Sequence, residues 1–508
     1  MEQWAKQVGT LRVIGTGVMG RGIIQLAATA GLTVELADAQ PDAVAKAVEQ
    51  VGGMLDKLTA KGRMTAEDAS AAKARLKPVG DPFAPAGHVD LIIEAIREDL
   101  EIKRTLFAGL ERVSGPDTVL ATNTSSLSVT GIGAGLTDPS RLVGLHFFNP
   151  VPLMRLVEVI PGARTAPWLP AAAADLVRRW GHEPVLAKDA PGFLVNHAGR
   201  GLGTEALQIL AEGIAEPAEV DRIARDVLGL KLGPFELLDL TGLDVSHAVL
   251  ESIWSGFHSE PRLRPSWLTK PRVEAGLFGR KNGEGFYRYE DGVQQADPEP
   301  EAPAAPRTPV WTQDDRLGSL LAAAGVDVVS DAYPDTVLLV SPLGTSTVDA
   351  AAASGLPASR VCGVDPFGGY ERRLTLSVHP GLDPASGRAA WGALAATGLP
   401  VTVVRDSPAP IAQRLLASIV NTACFIAGQR LAAPADIDTA VRLGLGYPHG
   451  PLTWGEEAGA GVVLRILRGL EHGTGDPRYR PSPWLAERVS LGLPLTWTGT
   501  TPADLLRG

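Results

Sequence analysis

The sequence predicts an α/β domain followed by all-α modules, with a degenerate second copy of this arrangement. Three observations predict this class. Apolar runs of strand length alternate with helical patterns over the first 187 residues. A G-x-G-x-x-G motif joins the first strand to the first long helix. Segments of the first half recur in the second half at a fixed spacing, which indicates an internal duplication.

The first segment divides into strands and helices by the period of its apolar residues. Strand-like and helical stretches follow one another in the order 11–15, 18–31, 33–38, 41–60 and 89–95. Two further strands end in “ATNTSS” and “LHFFNP”. Strands that alternate with helices predict a parallel sheet covered by helices on both faces.

The rest of the chain divides by composition. We expect an α/β domain at 1–187, a helical domain at 188–290, a linker at 291–310, a shortened α/β remnant at 311–404 and a second helical domain at 405–508. The linker is rich in Pro, Ala and acidic residues, which predicts an extended, poorly packed segment. “DAPGFLVN”, “EPAEVD” and “LGPFELLD” recur as “DSPAPIAQ”, “APADID” and “HGPLTWGE”, each 217 residues later. This constant offset predicts two copies of one helical domain.

The motif “GTGVMG” predicts a dinucleotide-binding loop, because it follows a strand and opens a helix as in a Rossmann-type NAD-binding domain. Gly15 permits a tight turn, Gly17 lets the backbone approach a pyrophosphate, and Gly20 allows the helix to pack closely. The start of the helix, at Val18 and Met19, offers unpaired N–H groups that favour phosphate charge.

Asp38 closes the second strand and predicts the choice of cofactor. A carboxylate here can accept hydrogen bonds from a ribose diol but would repel a 2′-phosphate. Arg12 is not placed to replace it. The sequence therefore predicts NAD rather than NADP.

His146 and Glu158 are polar residues inside the otherwise apolar stretches “LVGLHFF” and “RLVEVI”. A chain reversal centred near Pro152 would place them opposite each other on adjacent strands. The carboxylate would then fix the tautomer of the imidazole and stabilise its protonated form. The alternative is a core histidine satisfied by a local acid, and the nearby cofactor motif favours the functional interpretation.

Further polar residues interrupt apolar runs at Asn123, Thr124, Ser125 and Ser126, and again at Asn196. Any of them can be a helix cap. Together with a histidine they also supply what the oxidation of a secondary alcohol needs, namely a base for the hydroxyl proton and neutral donors around the oxygen.

Composition argues against several classes of protein and site. A net charge of −10 and a pI near 5.5 argue against nucleic-acid binding. Two distant cysteines and nine histidines without ligand spacing predict neither a disulfide framework nor a metal site, and they fit a reducing compartment. The N-terminus has no apolar signal core and no long apolar run follows, so we expect a cytoplasmic protein that does not bind membranes.

Taken together, these motifs resemble one family, the L-3-hydroxyacyl-CoA dehydrogenases. “IGTGVMGRGI”, “EAIREDLEIK”, “TNTSSL”, “GLHFFNPVPLMRLVEV”, “PGFLVN”, “GPFELLDLTGLD” and “GRKNGEGFY” occur in that order over residues 11–287. The two-copy layout is similar to the longer bacterial subgroup that includes the 3-hydroxyadipyl-CoA dehydrogenases of phenylacetate breakdown. The resemblance implies NAD-dependent, reversible oxidation of (S)-3-hydroxyacyl-CoA to 3-oxoacyl-CoA.

The resemblance also implies roles for individual residues. His146 would be the catalytic base with Glu158 as its partner, and Ser125 and Asn196 would hold the 3-oxygen of the substrate. The cofactor contacts of the family match Glu98, Lys103, Asn123, Asn149 and Lys281, and a looser match places Lys57 and Lys61 near the CoA phosphates. The family usually has arginine after the motif asparagine. His197 stands there in this chain, which puts in doubt an ion pair at the domain junction.

Two other functions compete with this interpretation. A non-catalytic sensor of NAD or acyl-CoA would not need a base opposite a carboxylate. Dehydrogenases of the 6-phosphogluconate type use lysine as the base, and “GLHFFNP” contains none. The sequence leaves open whether the substrate is 3-hydroxyadipyl-CoA or the short-chain 3-hydroxybutyryl-CoA. A dicarboxylyl substrate would need a cation near its acyl end, and Arg155 and His197 are the candidates.

In the second copy we expect the packing residues to persist and the chemistry to be lost. Its α/β part has no G-x-G-x-x-G motif, Asp365 replaces His146, and Gln413 replaces Asn196. We therefore expect no second catalytic site. The two helical domains carry apolar faces too large for one small domain to hide, so an intramolecular pseudo-dimer is predicted, and a homodimer of whole chains is left open.

Overall fold

The computed structural model of the chain describes residues 2–295, 298–304 and 308–506. These residues form two compact units. The first comprises the described residues of Met1–His197 together with Arg430–Leu445, and the second comprises those of Ala198–Gln429 and Gly446–Gly508. Residues 296, 297 and 305–307 of the predicted linker lie outside the described residues.

An eight-stranded sheet in the order β3-β2-β1-β4-β5-β6-β7-β8 forms the centre of the first unit. Its strands are β1 (Thr10–Ile14), β2 (Thr33–Ala37), β3 (Leu76–Gly80), β4 (Leu91–Glu94), β5 (Val119–Thr122), β6 (Leu142–Phe147), β7 (Leu156–Pro161) and β8 (Glu183–Leu186). Strands β1 to β6 are parallel, as predicted. Strands β7 and β8 run the other way, because a short connection after β6 reverses the chain without a crossover helix.

Helices cover this sheet. They are α1 (Glu2–Gln7), α2 (Val18–Thr29), α3 (Pro41–Ala60), α4 (Ala66–Ala74), α5 (Leu100–Val113), α6 (Val129–Gly133), α7 (Leu169–Arg179) and α8 (Val195–Ala198). Helices α4, α5 and α6 each start at a residue whose side chain caps the helix. Asp99 caps α5 by accepting the N–H of Ile102 at 3.0 Å. The strand side chains between the helices, such as Val13 and Leu145, are almost fully buried.

The second unit begins with helices and a small hairpin. Its first helices are α9 (Arg200–Ala211), α10 (Pro217–Asp226), α11 (Pro234–Thr241), α12 (Leu243–Gly256) and α13 (Thr269–Glu274). The hairpin consists of β9 (Arg288–Glu290) and β10 (Val293–Gln295), which are antiparallel. Short 3-10 turns lie at Pro139–Arg141, Pro261–Leu263, Ala358–Arg360 and Pro477–Tyr479.

A second sheet of six strands follows, in the order β12-β11-β13-β14-β15-β16. Its elements are β11 (Val310–Thr312), α14 (Asp315–Ala323), β12 (Val328–Val329), β13 (Val337–Val340), α15 (Thr347–Ala353), β14 (Val361–Val364), β15 (Leu374–Val378), α16 (Pro384–Ala395) and β16 (Val401–Arg405). Strand β15 runs antiparallel to β14 and parallel to β16, just as β7 is related to β6 and β8. The second sheet therefore repeats the last four strands of the first, and the degenerate second copy is confirmed.

The connection into α14 shows how the copy has degenerated. Asp314 follows β11 at once, and its carboxylate accepts the N–H groups of Arg316 and Leu317 at 3.0 and 3.2 Å. A carboxylate of the chain thus occupies the helix N-terminus that a glycine-rich loop would leave open for a phosphate.

The predicted linker packs against the second unit, contrary to the expectation of a poorly packed segment. Glu299 accepts two hydrogen bonds from the guanidinium of Arg373, at 3.0 and 2.6 Å. The carbonyl oxygen of Ala304 also occupies the space that a side chain at Gly392 would need. Composition did not predict this because both partners, Arg373 before β15 and Gly392 in α16, are distant in the sequence.

The last helices are α17 (Ile411–Gly428), α18 (Pro434–Gly444), α19 (Pro451–Glu457), α20 (Ala460–Thr474), α21 (Pro483–Leu491) and α22 (Pro502–Leu506). Among the described residues, α17 alone has the length and apolar composition of a membrane span, and 83% of it is buried inside the protein. All of these helices except α18 belong to the second unit.

Candidate active site

His146 and Glu158 face each other across the antiparallel strands β6 and β7. The strand register pairs them directly, so the opposition expected from a reversal near Pro152 is confirmed. His146 Nδ1 lies 2.5 Å from Glu158 Oε2, and both side chains are buried. This contact orients the ring so that Nε2 is the nitrogen left to exchange a proton with a ligand.

The second oxygen of Glu158 is held by the backbone at the start of α8. Oε1 accepts the N–H groups of Leu194 at 2.9 Å and Val195 at 2.7 Å. The preceding residue, Phe193, has a φ of 48°, a strained conformation for a bulky side chain. The carboxylate therefore ties the histidine to the segment that carries Asn196.

The glycine loop between β1 and α2 has the shape of a phosphate cradle. Gly15 has a φ of 96°, and a Cβ there would lie 2.6 Å from the carbonyl oxygen of Ala95. A Cβ on Gly20 would lie 1.9 Å from the carbonyl oxygen of Gly15. Gly17 faces open space and is exposed, as is Val18. The loop thus leaves room at the start of α2 that fits the pyrophosphate of a dinucleotide.

Asp38 lies beside this loop at the end of β2. Its Oδ2 accepts the N–H and the hydroxyl of Thr16 at 2.8 and 2.9 Å, and Oδ1 accepts the N–H of Gln40 at 3.1 Å. Next to it, an apolar cavity of about 420 Å³ is lined by residues that include Ala39 and Phe83. The sequence did not indicate this cavity, because Phe83 lies in a loop without a recognisable pattern.

Glu98 holds the loop that carries Ser125 after β5. Its Oε1 accepts the hydroxyl of Thr124 at 2.6 Å and the N–H groups of Ser125 and Ser126 at 2.8 and 3.0 Å. Its Oε2 pairs with Lys103 at 2.9 Å. Burial alone raises the pKa of Glu98, but the charge of Lys103 and these hydrogen bonds outweigh burial and lower the pKa from 4.5 to about 2.

Lys103 lies beneath this loop, buried between Glu98 and a second carboxylate, Glu94. Glu94 is fully buried and accepts hydrogen bonds from Lys103 at 2.8 Å, Thr122 at 2.7 Å and the N–H of Ile96 at 2.8 Å. Glu94 and Thr122 were not among the residues predicted from the sequence. A signal was present, since Glu94 interrupts the apolar run “DLIIEA” at the end of a strand.

We predict that Glu98 makes the stability of this loop depend on acid pH. Because its folded-state pKa lies below the unfolded value, the ionised group stabilises the fold above pH 4.5. That contribution should disappear progressively as the pH falls from 4.5 to about 2. The slope of the unfolding free energy against pH over this window should therefore be smaller in Glu98→Gln than in the wild type, and equal slopes would contradict the prediction.

Two other predicted residues follow the ends of β5 and β6, and a third lies in α8. Asn123 follows β5, and its Oδ1 accepts the N–H of Phe147 at 2.9 Å. Asn149 is exposed in the connection after β6. His197 is buried in α8.

The predicted lysines are more dispersed. Lys57 and Lys61 are exposed at the C-terminal end of α3. Lys281 belongs to the second unit, where its ammonium group pairs with Asp244. Among the described residues, no group of three or more His, Cys, Asp or Glu side chains is arranged to hold a metal ion.

Two family models match the sequence. The model of the 3-hydroxyacyl-CoA dehydrogenase NAD binding domain matches residues 10–190. The model of the C-terminal domain of the same enzymes matches residues 192–289 and again 411–501. The chain belongs to the 3-hydroxyacyl-CoA dehydrogenase family. The double match of the C-terminal domain also confirms the duplication predicted from the 217-residue offset.

Individual relatives agree with this membership. The chain is 37% identical over 499 residues to the 3-hydroxyadipyl-CoA dehydrogenase of Escherichia coli K12, covering 95% of this chain and 98% of the relative. It resembles the crystal structure of the 3-hydroxybutyryl-CoA dehydrogenase of E. coli K12 with a TM-score of 0.85 and 36% identity, over 96% and 99% of the two chains. The human mitochondrial hydroxyacyl-coenzyme A dehydrogenase is 38% identical over 283 residues, which are 54% of this chain and 90% of that protein.

Membership in the 3-hydroxyacyl-CoA dehydrogenase family confirms the prediction of an NAD-dependent enzyme. NAD is its cofactor, and the glycine loop has the open geometry that this dinucleotide requires. An acyl-CoA is its class of substrate. The sensor and the lysine-dependent dehydrogenase are therefore set aside.

Proposed function

We propose that the chain oxidises the C3 hydroxyl of an (S)-3-hydroxyacyl-CoA with His146 as general base and Glu158 as its partner. The observation that carries this proposal is the 2.5 Å contact between His146 Nδ1 and Glu158 Oε2. His146 Nε2 takes the hydroxyl proton, and Glu158 stabilises the imidazolium that forms. NAD, when bound, accepts the hydride from C3. Phe148, whose ring centroid is 4.4 Å from that of His146, helps to exclude water.

We further propose that Ser125 and Asn196 hold the 3-oxygen of the substrate. Ser125 follows β5 and His146 lies near the end of the parallel neighbour β6, so both residues belong to the same edge of the sheet. Asn196 directly follows the backbone that binds Glu158. Neutral donors at these positions would stabilise the charge that develops on the oxygen.

We propose roles for the remaining residues of the site according to the group that each would contact. Backbone and side chains around the cofactor come from Gly15, Gly17, Val18, Met19, Gly20, Asp38, Glu98, Asn123 and Asn149. Lys103 acts beneath the surface by holding Glu98, since its ammonium group is buried between two carboxylates. Lys57 and Lys61 remain our candidates for the CoA phosphates because both are exposed cations on one helix end.

We propose a dicarboxylyl substrate, 3-hydroxyadipyl-CoA, with 3-hydroxybutyryl-CoA as the alternative. The support is that the E. coli relative named for the adipyl substrate matches across both copies. Arg155 is exposed in the connection between β6 and β7, whereas His197 is buried, so Arg155 is the better placed cation for a distal carboxylate.

Steady-state kinetics with both substrates test this choice. We expect a higher kcat/KM for 3-hydroxyadipyl-CoA, and Arg155→Gln should reduce that preference while leaving 3-hydroxybutyryl-CoA turnover unchanged. A higher kcat/KM for 3-hydroxybutyryl-CoA would assign the chain to short-chain metabolism instead.

We predict a strong preference for NAD over NADP that depends on Asp38. The carboxylate would accept hydrogen bonds from the adenosine ribose and repel a 2′-phosphate. Asp38→Ala should weaken NADH binding and relax the discrimination against NADPH, measured as the ratio of the two kcat/KM values. A wild-type enzyme that prefers NADPH would contradict the prediction.

We propose that the two helical domains form a pseudo-dimer within one chain. The support lies in the second unit, where α9 and α17 pack so closely that a Cβ on Gly201 would lie 2.8 Å from a backbone atom of α17. Arg262 donates to the carbonyl oxygen of Arg480 at 2.8 Å, and Arg478 donates to that of Arg264 at 3.2 Å. Such reciprocal contacts are typical of a two-fold interface.

We also propose a cytoplasmic location. The support is composition, because a content of two cysteines in 508 residues is common in proteins of reducing compartments.

We propose that the second sheet binds no cofactor, so that each chain binds one NAD. Asp365 stands at the position equivalent to His146, and its backbone N–H donates to the carbonyl oxygen of Thr375, a residue that has no carboxylate. Its Oδ1 accepts the side-chain N–H of Gln413 at 2.7 Å, and burial raises the pKa of Asp365 to about 7. Titration of the full chain with NADH should give one site per chain, and two sites would overturn the proposal.

A further inference from the structure

Helix α18 comes from the second copy but packs on the catalytic sheet. It belongs to the first unit, and the residues before it pair with the chain after β8. The N–H of Lys188 donates to the carbonyl oxygen of Leu431 at 2.8 Å, and the N–H of Leu186 donates to Asp436 Oδ2 at 3.3 Å.

The first copy makes the matching contact on the second sheet. The N–H of Arg405 donates to the carbonyl oxygen of Ile214 at 2.9 Å, and α10 packs against β16. Arg405 stands 217 positions after Lys188, and Leu431 stands 217 positions after Ile214. The two hydrogen bonds are therefore equivalent, and each sheet receives a helix from the helical domain of the other copy.

The end of α18 contacts the structure that holds the catalytic pair. A Cβ on Gly444 would lie 2.9 Å from Leu156 Cδ2 and 3.0 Å from both Cγ atoms of Val195. Leu156 precedes Glu158 on β7, on the same face of the strand, and the N–H of Val195 donates to Glu158 at 2.7 Å. Glycine allows this close approach because it has no side chain.

We propose that α18 is a positioning element for the His146–Glu158 pair and that Gly444 is its positioning residue. The second copy thus completes the catalytic unit in addition to acting as a scaffold. The inference rests on the proposed role of His146 as base. A side chain at position 444 would displace Val195, whose N–H orients Glu158. A shift of Glu158 would in turn move the imidazole of His146. Misplacement of about 1 Å can cost on the order of 10²-fold in rate, so a smaller shift should be measurable.

The test is Gly444→Ala in the full chain. We expect kcat to fall about tenfold, a part of the loss that a ~1 Å misplacement causes, while the Kd for NADH changes less than about twofold. The control is Gly461→Ala in α20, where the nearest atom to the new Cβ is 4.0 Å away. Alanine favours a helix over glycine at both sites, so loss of helix propensity cannot explain a fall in kcat.

A second change separates positioning from general damage. Val195→Ala removes two of the three close atoms, the Cγ atoms of Val195, and leaves only Leu156 Cδ2 against the new Cβ. The double variant Gly444→Ala/Val195→Ala should therefore be faster than Gly444→Ala alone. If Gly444→Ala does not fold, Val195→Ile crowds the same contact from the other side and should lower kcat with NADH binding intact. Wild-type turnover in Gly444→Ala, or in Val195→Ile where that is tested instead, would overturn the inference. So would a fall in the kcat of Gly444→Ala that Val195→Ala does not relieve.

These outcomes are separable from failure of the proposed function. If His146→Gln is strongly impaired while Gly444→Ala is as active as wild type, only the positioning role fails. If His146→Gln keeps wild-type turnover, the base assignment itself fails, whatever Gly444→Ala shows.

Discussion

Replacing His146 with glutamine should lower turnover by a factor of about 10² to 10⁴, the usual contribution of a positioned general base. Glutamine keeps a similar volume and can still bond to Glu158, but it cannot accept the hydroxyl proton. The glycine loop lies on other strands of the sheet, so the Kd for NADH should hardly change.

A matched control for this change is available at His88. Its Nε2 also contacts a carboxylate, Glu35, at 2.8 Å, but the side chain is 63% exposed. His88→Gln should therefore keep wild-type turnover. Near wild-type turnover in His146→Gln, with NADH binding intact, would refute the assignment of the base.

Replacing Arg414 with alanine should destabilise the second unit by about 3–5 kcal/mol, the cost of leaving a buried charge without its partner. Arg414 is fully buried and donates to Glu205 at 2.6 Å, Glu212 at 2.7 Å and the hydroxyl of Tyr479 at 2.7 Å. Glu205 is itself 1% exposed, so its carboxylate would lose its cation without gaining water.

Arg414 stands 217 positions after His197, where the resemblance leads us to expect an arginine. The second copy thus retains a buried arginine ion pair at the position where the first copy has histidine. Urea unfolding of the full chain measures the loss of free energy. The exposed pair Lys270–Glu274 provides the control, because Lys270→Ala should hardly change stability. A loss below about 1 kcal/mol for Arg414→Ala would show that the network contributes little.

The contact between His146 and Glu158 was predictable because it depends on local geometry. Side chains in a strand alternate with a period of two, and a short reversal near Pro152 sets the register of β6 against β7. His146 and Glu158 therefore had to meet. The glycine loop was predictable for a similar reason, since strand, loop and helix are consecutive in the chain.

Features that depend on distant segments could not be read from the sequence. The stretch “EPAEVD” in α10 and its repeat “APADID” in α18 have the same local pattern, yet the two helices pack on different sheets. Glu94 does interrupt an apolar run, but its partners Lys103 and Thr122 come from other elements, and the run does not identify them. Local periodicity carries no information about either choice.

A double-mutant cycle on kcat tests whether His146 and Glu158 act as one unit. The cycle compares the wild type, His146→Gln, Glu158→Gln and the double variant, each with saturating NAD and substrate. Residues that act as a unit are strongly non-additive, so the double variant should be about as slow as His146→Gln alone. If the two losses instead multiply, each residue contributes independently, and a histidine base that works through its bond to Glu158 would be contradicted.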